Sequence, residues 1–220
     1  MLQTPPAGAG RLLLVRHGAT AHTAQGRFSG CTGLDPELSP AGRKQARLLA
    51  SELRRRHTDA SELAITAVVS SPVRRARETA ATVADALGLT AHVDDALREI
   101  DFGDWEGCTV EDVDKGWPGG LAGWRSDASL RAPGGESVAE VARRVAAARQ
   151  RLSERHAGAG VLVVSHLYPV RLSVLDALGA PLEAVHRMLH EPTAVSELAL
   201  SNGTWGLVRY NDSGHLRRDS

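Results

Sequence analysis

The sequence predicts an α/β fold, a three-layer sandwich with a mostly parallel central sheet flanked by helices. Three observations predict it. Short apolar runs at residues 12–15, 63–71 and 160–165 alternate with longer stretches of helical periodicity. The runs are apolar at consecutive positions, as in strands covered on both faces. Two of them stop abruptly at a histidine, with Arg16-His17-Gly18 after the first and His166 after the last.

The elements follow in order. After the first strand, the polar, glycine-rich residues 18–38 read as a loop, and Ser39-Pro40 supplies a helix N-cap and a first-turn proline. Ala46, Leu49, Ala50 and Leu53 then recur on one helical face. Residues 63–71 form the second strand. Pro72 opens the next helix, with Ala76, Thr79, Ala80, Val83, Ala84 and Leu87 inward and Gly88 as its stop. Residues 101–135 differ in character: rich in glycine and acid, weakly periodic, and holding Trp105, Trp117 and Trp124, three of the four tryptophans. They read as a lid-like insertion with short helical pieces.

Ser137 and Glu140 make a capping box before a helix whose core face is Val138, Val141, Val145 and Leu152. "GVLVVSH" repeats the opening theme of a strand ending in histidine. Residues 168–179 and 181–190 look helical. Residues 194–201 and 204–210, joined by Asn202-Gly203, read as a closing hairpin. No repeat or interdomain linker interrupts the chain. The expectation is one domain over residues 1–220, with flexible ends at 1–10 and 212–220.

Bulk composition narrows the function classes. Lys+Arg and Asp+Glu both total 26, so no general pull toward nucleic acid or anionic membrane is expected. No apolar run approaches the ~20 residues of a membrane span, and "MLQTPPAGAG" lacks the basic and apolar regions of a signal peptide. Cys31 and Cys108 fit no metal spacing and read as reduced thiols of a cytoplasmic protein. His186 and His190 stand one helical turn apart without a third ligand, so neither a metal nor a cofactor is expected. The expected partner is a small molecule, not nucleic acid or membrane; a homodimer is expected on no particular motif.

In open α/β sheets, ligands bind beyond the carboxyl ends of the strands. Arg16 and His17, Ser70 and Ser71, and His166 all follow apolar runs, so three strands deliver polar groups to one rim. One strand-end histidine is usually structural. Two of them, with an adjoining arginine and a nearby Ser-Ser-Pro-Val-Arg-Arg turn, point to a site. Arginines brought together repel unless an anion joins them, and their forks match phosphate oxygens. The chain has no G-x-x-x-x-G-K-[ST], and no G-x-G-x-x-G ends the first strand, so side chains would hold the phosphate.

These residues also resemble a family. "LVRHGAT" is similar to the RHG signature of the histidine phosphatase superfamily, the phosphoglycerate mutase-like proteins. "GRFSG" with "LSPAGRKQA", "SSPVRRARETA", "LREIDFGDWEG", "APGGESVAEVARRV" and "VLVVSH" resemble its further motifs, in family order across most of the chain. The resemblance implies a phosphoglycerate mutase-like fold and a metal-independent phosphomonoesterase. By it, His17 is the nucleophile that forms a phosphohistidine, and Arg16 and Arg75 grip the phosphoryl oxygens. Glu99 is the proton donor, in competition with Asp101, Asp104 and Glu106, and His166 is the second pocket histidine. Arg27 and Thr23 are further phosphate-pocket residues.

The chain departs from the family where many members follow the second histidine with two glycines, because Leu167, Tyr168 and Pro169 stand there. The Leu167 amide is still expected to serve phosphate, and Tyr168 to narrow the pocket or meet the leaving group. Trp105, Trp117, Trp124 and Arg125 either grip a leaving group or pack the lid down. "FGDWEG" and the modest length resemble phosphatase branches more than mutases. A phosphoglycerate mutase-type phosphotransferase and a non-catalytic phospho-ligand binding protein are the alternatives.

Overall fold

The computed structural model describes residues 10–58 and 64–217. In chain order the elements are β1 (Gly10–Arg16), α1 (Ala21–Ala24), α2 (Pro40–Thr58), β2 (Ile65–Ser70), α3 (Arg74–Leu87) and β3 (Ala91–Val93). They continue with α4 (Val110–Gly116), α5 (Gly120–Ser126), α6 (Val138–Arg155), β4 (Gly160–Ser165), α7 (Leu167–Leu178), β5 (Val195–Ser201) and β6 (Thr204–Asp212). The six strands lie in the order β3-β2-β4-β1-β5-β6. β3, β2, β4 and β1 run parallel, and the closing hairpin β5–β6 joins antiparallel to β1.

The sheet is covered on both faces, which is why its central strands are apolar without alternation. Leu13 and Val15 of β1 pack with Leu49 and Leu53 of α2 and Ala80 and Val83 of α3. Leu12 and Leu14 point the other way, toward Ala148 and Leu152 of α6 and Val170 and Val174 of α7. A third cluster lies beyond the carboxyl ends of the strands. There Phe102, Trp105, Leu121 and Trp124 pack against Val141, Tyr168 and Leu172.

Local signals set most boundaries. The Ser39 hydroxyl accepts the Gly42 amide at 3.0 Å and so caps α2. Ser137 and Glu140 close their capping box on α6. Asn202 and Gly203 both take positive φ, the requirement of a type I′ hairpin turn.

Three expectations need correction. α3 begins at Arg74, not Pro72; its N-cap Val73 has no capping side chain, and Asp35 accepts the Arg74 amide at 3.1 Å instead. The helix expected over 181–190 is a 3-10 helix at Leu182–Arg187. The C-terminus is structured through residue 217: Gly214–Leu216 form a 3-10 turn, and buried His215 pairs with the Thr193 hydroxyl at 3.2 Å. The expected flexible start falls at residues 1–9, outside the described residues, while Gly10 already belongs to β1; Leu63 and residues 218–220 also lie outside.

The loop after β1 is held by close backbone contact with α2. A Cβ on Gly42 would stand 2.0 Å from the Ala19 carbonyl oxygen, and one on Gly18 would stand 2.6 Å from the Gly42 oxygen. Both neighbours are backbone, so neither can move aside cheaply. Gly42→Ala is therefore expected to lose about 1–3 kcal/mol of stability, read as a lower urea midpoint. Gly116→Ala, where an added Cβ meets nothing within 4 Å, is the control and should stay within about 0.5 kcal/mol of the parent.

Candidate active site

Register places the polar residues in one row. β1 and β4 pair up to Arg16 opposite Ser165, and the His17 amide extends the ladder to the Ser165 carbonyl at 2.9 Å. β2 pairs with β4 up to Ser70 opposite Val164, and the Ser71 amide reaches the Val164 carbonyl at 2.9 Å. His17, Ser71 and His166 thus leave adjacent strand ends together.

His17 is held in one orientation from both ring nitrogens. Its Nδ1 lies 2.7 Å from the Gly18 carbonyl oxygen, which can only accept, so Nδ1 carries the ring proton. Nε2 keeps its lone pair, and Arg75 Nε donates to it at 3.1 Å. Arg75 lies behind His17 at 1% exposure, with Nη2 donating to the Ser29 and Gly30 carbonyls at 2.9 and 2.8 Å. Burial holds the His17 pKa well below the usual range, and the charges of Arg75 and Arg16 add to this.

His166 is fully buried, its ring 5.0 Å from that of His17 and edge-on to it. Its Nε2 is 2.7 Å from the Ser71 hydroxyl. That hydroxyl also accepts the Val73 amide at 3.2 Å, and giving its own hydrogen to Nε2 satisfies it and places the ring proton on Nδ1. Burial, Arg75 and His17 hold this ring neutral too.

The donors around His17 are not all used. Arg16 donates through Nη1 to the His190 carbonyl at 2.8 Å, and burial pushes its pKa down to about 10, which leaves it charged near neutrality. Arg16 Nε, Arg75 Nη1 and His166 Nδ1 are buried without any acceptor. Each unmet donor costs about 1–3 kcal/mol, so three such groups beside one imidazole favour an anion as their common acceptor.

Glu99, 4% exposed, is held by backbone alone. Its Oε1 accepts the amides of Ile100 and Tyr168 at 3.0 and 3.2 Å, and its Oε2 accepts that of Leu167 at 3.0 Å. The N-cap of α7, His166, offers no capping side chain, so Glu99 occupies that positive helix end. Burial raises its pKa, against the amides and the charges of Arg75 and Arg16. Arg144 fixes the loop below, donating to the carbonyls of Ala96, Arg98 and Glu99 at 2.8, 2.7 and 3.0 Å and pairing with Glu136 at 2.9 Å.

The competing acids are placed elsewhere. Asp101 accepts the Gly103 amide and the Thr32 hydroxyl, and Asp104 is exposed. Glu106 braces the Gly30 amide at 2.9 Å, with burial pushing its pKa up to about 7.

Arg16, His17 and Glu99 open into a cavity of about 270 Å³ walled by Phe102, Val110 and Tyr168. Thr23 and Arg27 also border it. The Thr23 hydroxyl accepts the Thr20 amide at 3.2 Å, and exposed Arg27 donates to Gln25 and to the Gly107 carbonyl.

One expectation changes here: the Leu167 amide meant for phosphate is committed to Glu99. Of the two readings of the lid tryptophans, packing holds for Trp105 and Trp124, which do not border the cavity. At 1% exposure, Trp124 packs against Phe102 and Tyr168 and Trp105 against Trp124 and Phe28, so the insertion lines the cavity with Phe102, Val110 and Arg125. The sequence reading missed Ser71 as the partner of His166, Arg144, and Arg171, which borders the cavity. Arg171 did carry a signal, as one charge amid the apolar "YPVRLSVL". Among the described residues, no three His, Cys, Asp or Glu side chains are grouped to hold a metal.

Comparison with known proteins yields one consistent set. The sequence profile of the histidine phosphatase superfamily (branch 1) matches residues 12–213. A bifunctional protein of Mycobacterium tuberculosis is 40% identical over 208 residues, covering 94% of this chain and 55% of its own length. The chain thus spans about half of that relative. Phosphoserine phosphatase 1 of Hydrogenobacter thermophilus is 38% identical over 207 residues, with 94% of each chain covered. The solved structure of a mycobacterial glucosyl-3-phosphoglycerate phosphatase with VO3 superimposes with a TM-score of 0.80 at 32% identity, over 92% of this chain and 99% of that one.

The depressed histidine values make a spectroscopic prediction. At about pH 5.5, a unit below the ordinary histidine value of about 6.5, an unperturbed ring is mostly protonated, whereas one with a lowered pKa stays neutral. Nitrogen-15 spectra of the ligand-free protein should show His17 and His166 neutral there, each with its proton on Nδ1. A His17 ring titrating at the ordinary value would contradict the geometry.

Proposed function

The chain belongs to the histidine phosphatase superfamily, and from that premise we propose that it is a phosphomonoester hydrolase acting through a phosphohistidine on a small phosphorylated metabolite. The observation that carries the reading is the set of unmet buried donors, Arg16 Nε, Arg75 Nη1 and His166 Nδ1, around a neutral His17. A phosphoryl group supplies the missing acceptors, and its negative charge relieves the repulsion among the cations. The relatives named for phosphoserine and glucosyl-3-phosphoglycerate support the same reaction class.

In the proposed reaction Arg75 turns its Nε–H from His17 Nε2 to a phosphoryl oxygen, and the freed lone pair attacks phosphorus as the ester P–O bond breaks. Glu99, whose protonated form burial favours, gives a proton to the departing alkoxide. The resulting carboxylate then takes a proton from water, whose oxygen attacks phosphorus. The P–N bond breaks, inorganic phosphate leaves, and both groups return to their starting states. The loose transition state of phosphoryl transfer needs placed positive charge more than covalent chemistry, and Arg16 and Arg75 provide it. The free thiols Cys31 and Cys108 support the cytoplasm as the site of this reaction.

Leaving-group dependence tests the assignment. His17→Ala is expected to lower kcat/KM on the order of 10³-fold or more for every phosphomonoester. Glu99→Gln should cost about 10²–10³-fold on alkyl phosphates. On p-nitrophenyl phosphate it should cost far less, because that phenolate leaves without a proton. Equal losses on both substrates would remove Glu99 from the acid role. Clean isomerisation of 3-phosphoglycerate with a bisphosphate primer and no free phosphate would replace hydrolysis by a mutase reaction.

A further inference from the structure

Arg171 is a buried cation that the proposed reaction does not use. It sits on α7 one turn past Leu167, is 8% exposed, and borders the cavity that His17 and Glu99 share. Its Nε is buried without an acceptor, and it forms no ion pair with any described residue. The Tyr210 hydroxyl lies beside Arg171 and interacts with it, but a neutral phenol supplies no counter-charge. The acid felt at Arg171 is Glu99, which three backbone amides already hold and which carries its proton in the proposed reaction, so it supplies no lasting counter-charge. A buried guanidinium left this way is costly unless a ligand supplies the counter-charge.

Counting charges says which ligand. A phosphoryl dianion at His17 is met by Arg16 and Arg75, so one buried positive charge is left over. Arg125, exposed at the end of α5, enters the same cavity and likewise forms no ion pair. A guanidinium fork takes a planar, singly charged carboxylate through paired hydrogen bonds. The cavity of about 270 Å³ has room for roughly nine waters, enough for a phosphoryl group and a short acid.

We infer that Arg171 is a specificity-determining residue that receives a carboxylate on the leaving group, so that the substrates are phosphorylated short-chain carboxylic acids. This rests on the hydrolase reading above. Arg125 closes over the same group from the rim.

The test compares kcat/KM for phosphoserine with that for phosphoethanolamine, the same skeleton without the carboxylate. Their ratio does not depend on the fraction of protein folded. The wild-type ratio is expected to be at least about tenfold, the scale of one charge-assisted pair. Arg171→Met should bring it near one, and Arg171→Lys should fall between.

The failures are separable. If His17→Ala hydrolyses both esters as the parent does, the hydrolase reading falls and takes this site with it. If hydrolysis depends on His17 but the wild-type ratio is near one, or Arg171→Met leaves the ratio unchanged, the carboxylate site alone is overturned. A bisphosphate preferred over phosphoserine overturns it too, in favour of a second phosphate. Should Arg171→Met not fold, inhibition of the wild type by glycerate against glycerol reads the same preference. Stronger inhibition by glycerate supports the site, and equal inhibition overturns it.

Discussion

Buried hydrogen-bond donors with no acceptor are the constraint on which this molecule is organised. Arg16 Nε, Arg75 Nη1 and His166 Nδ1 belong to the residues around His17, and none has a partner among the described residues. Such an arrangement opposes folding twice, by leaving donors unmet and by bringing like charges together. It persists because the surrounding structure fixes each donor from behind. Arg75 is held by the Ser29 and Gly30 carbonyls, Arg16 by the His190 carbonyl, and His166 by Ser71. The stability given up at the strand ends becomes affinity for a tetrahedral dianion, with little reorganisation when it arrives.

The rest of the fold serves that arrangement. Parallel pairing of β1, β4 and β2 brings the histidines and Ser71 side by side. The close approach of Gly18 and Gly42 holds the loop after β1 against α2, and the Gly18 amide donates to Thr79 on α3. Glu106 braces Gly30, whose carbonyl in turn holds Arg75. On the other side Arg144 and Glu136 fix the backbone of Glu99, which closes the N-terminus of α7. His17, His166 and Arg75 are therefore carried by strand ends and a helix start, and Glu99 by a loop that Arg144 and Glu136 hold in place.

What could be read from the sequence was whatever local pattern determines. Apolar runs without alternation gave covered strands, and the caps at Ser39 and Ser137 gave helix starts. His17 and His166 stood out because each ends such a run. What escaped depends on distant partners. α3 starts late because Asp35, from the distant loop before α2, caps it. The Leu167 amide is taken by Glu99, which is 68 residues away in the chain. The roles of Trp105 and Trp124 depend on packing against each other and against Phe28, Phe102 and Tyr168, which glycine-rich, weakly periodic sequence does not encode locally. Arg171 could be seen as an isolated charge on an apolar helix, but only burial showed that it lacks a counter-charge.

The account stands or falls on where the phosphoryl group goes during turnover. Rapid mixing with a phosphomonoester, quenching in base and mapping the phosphopeptides by mass spectrometry measures this directly. The account predicts one phosphoryl group on His17, lost in acid and regained on each turnover. Steady hydrolysis with His17 never phosphorylated, or with the phosphoryl group on another residue, would contradict it.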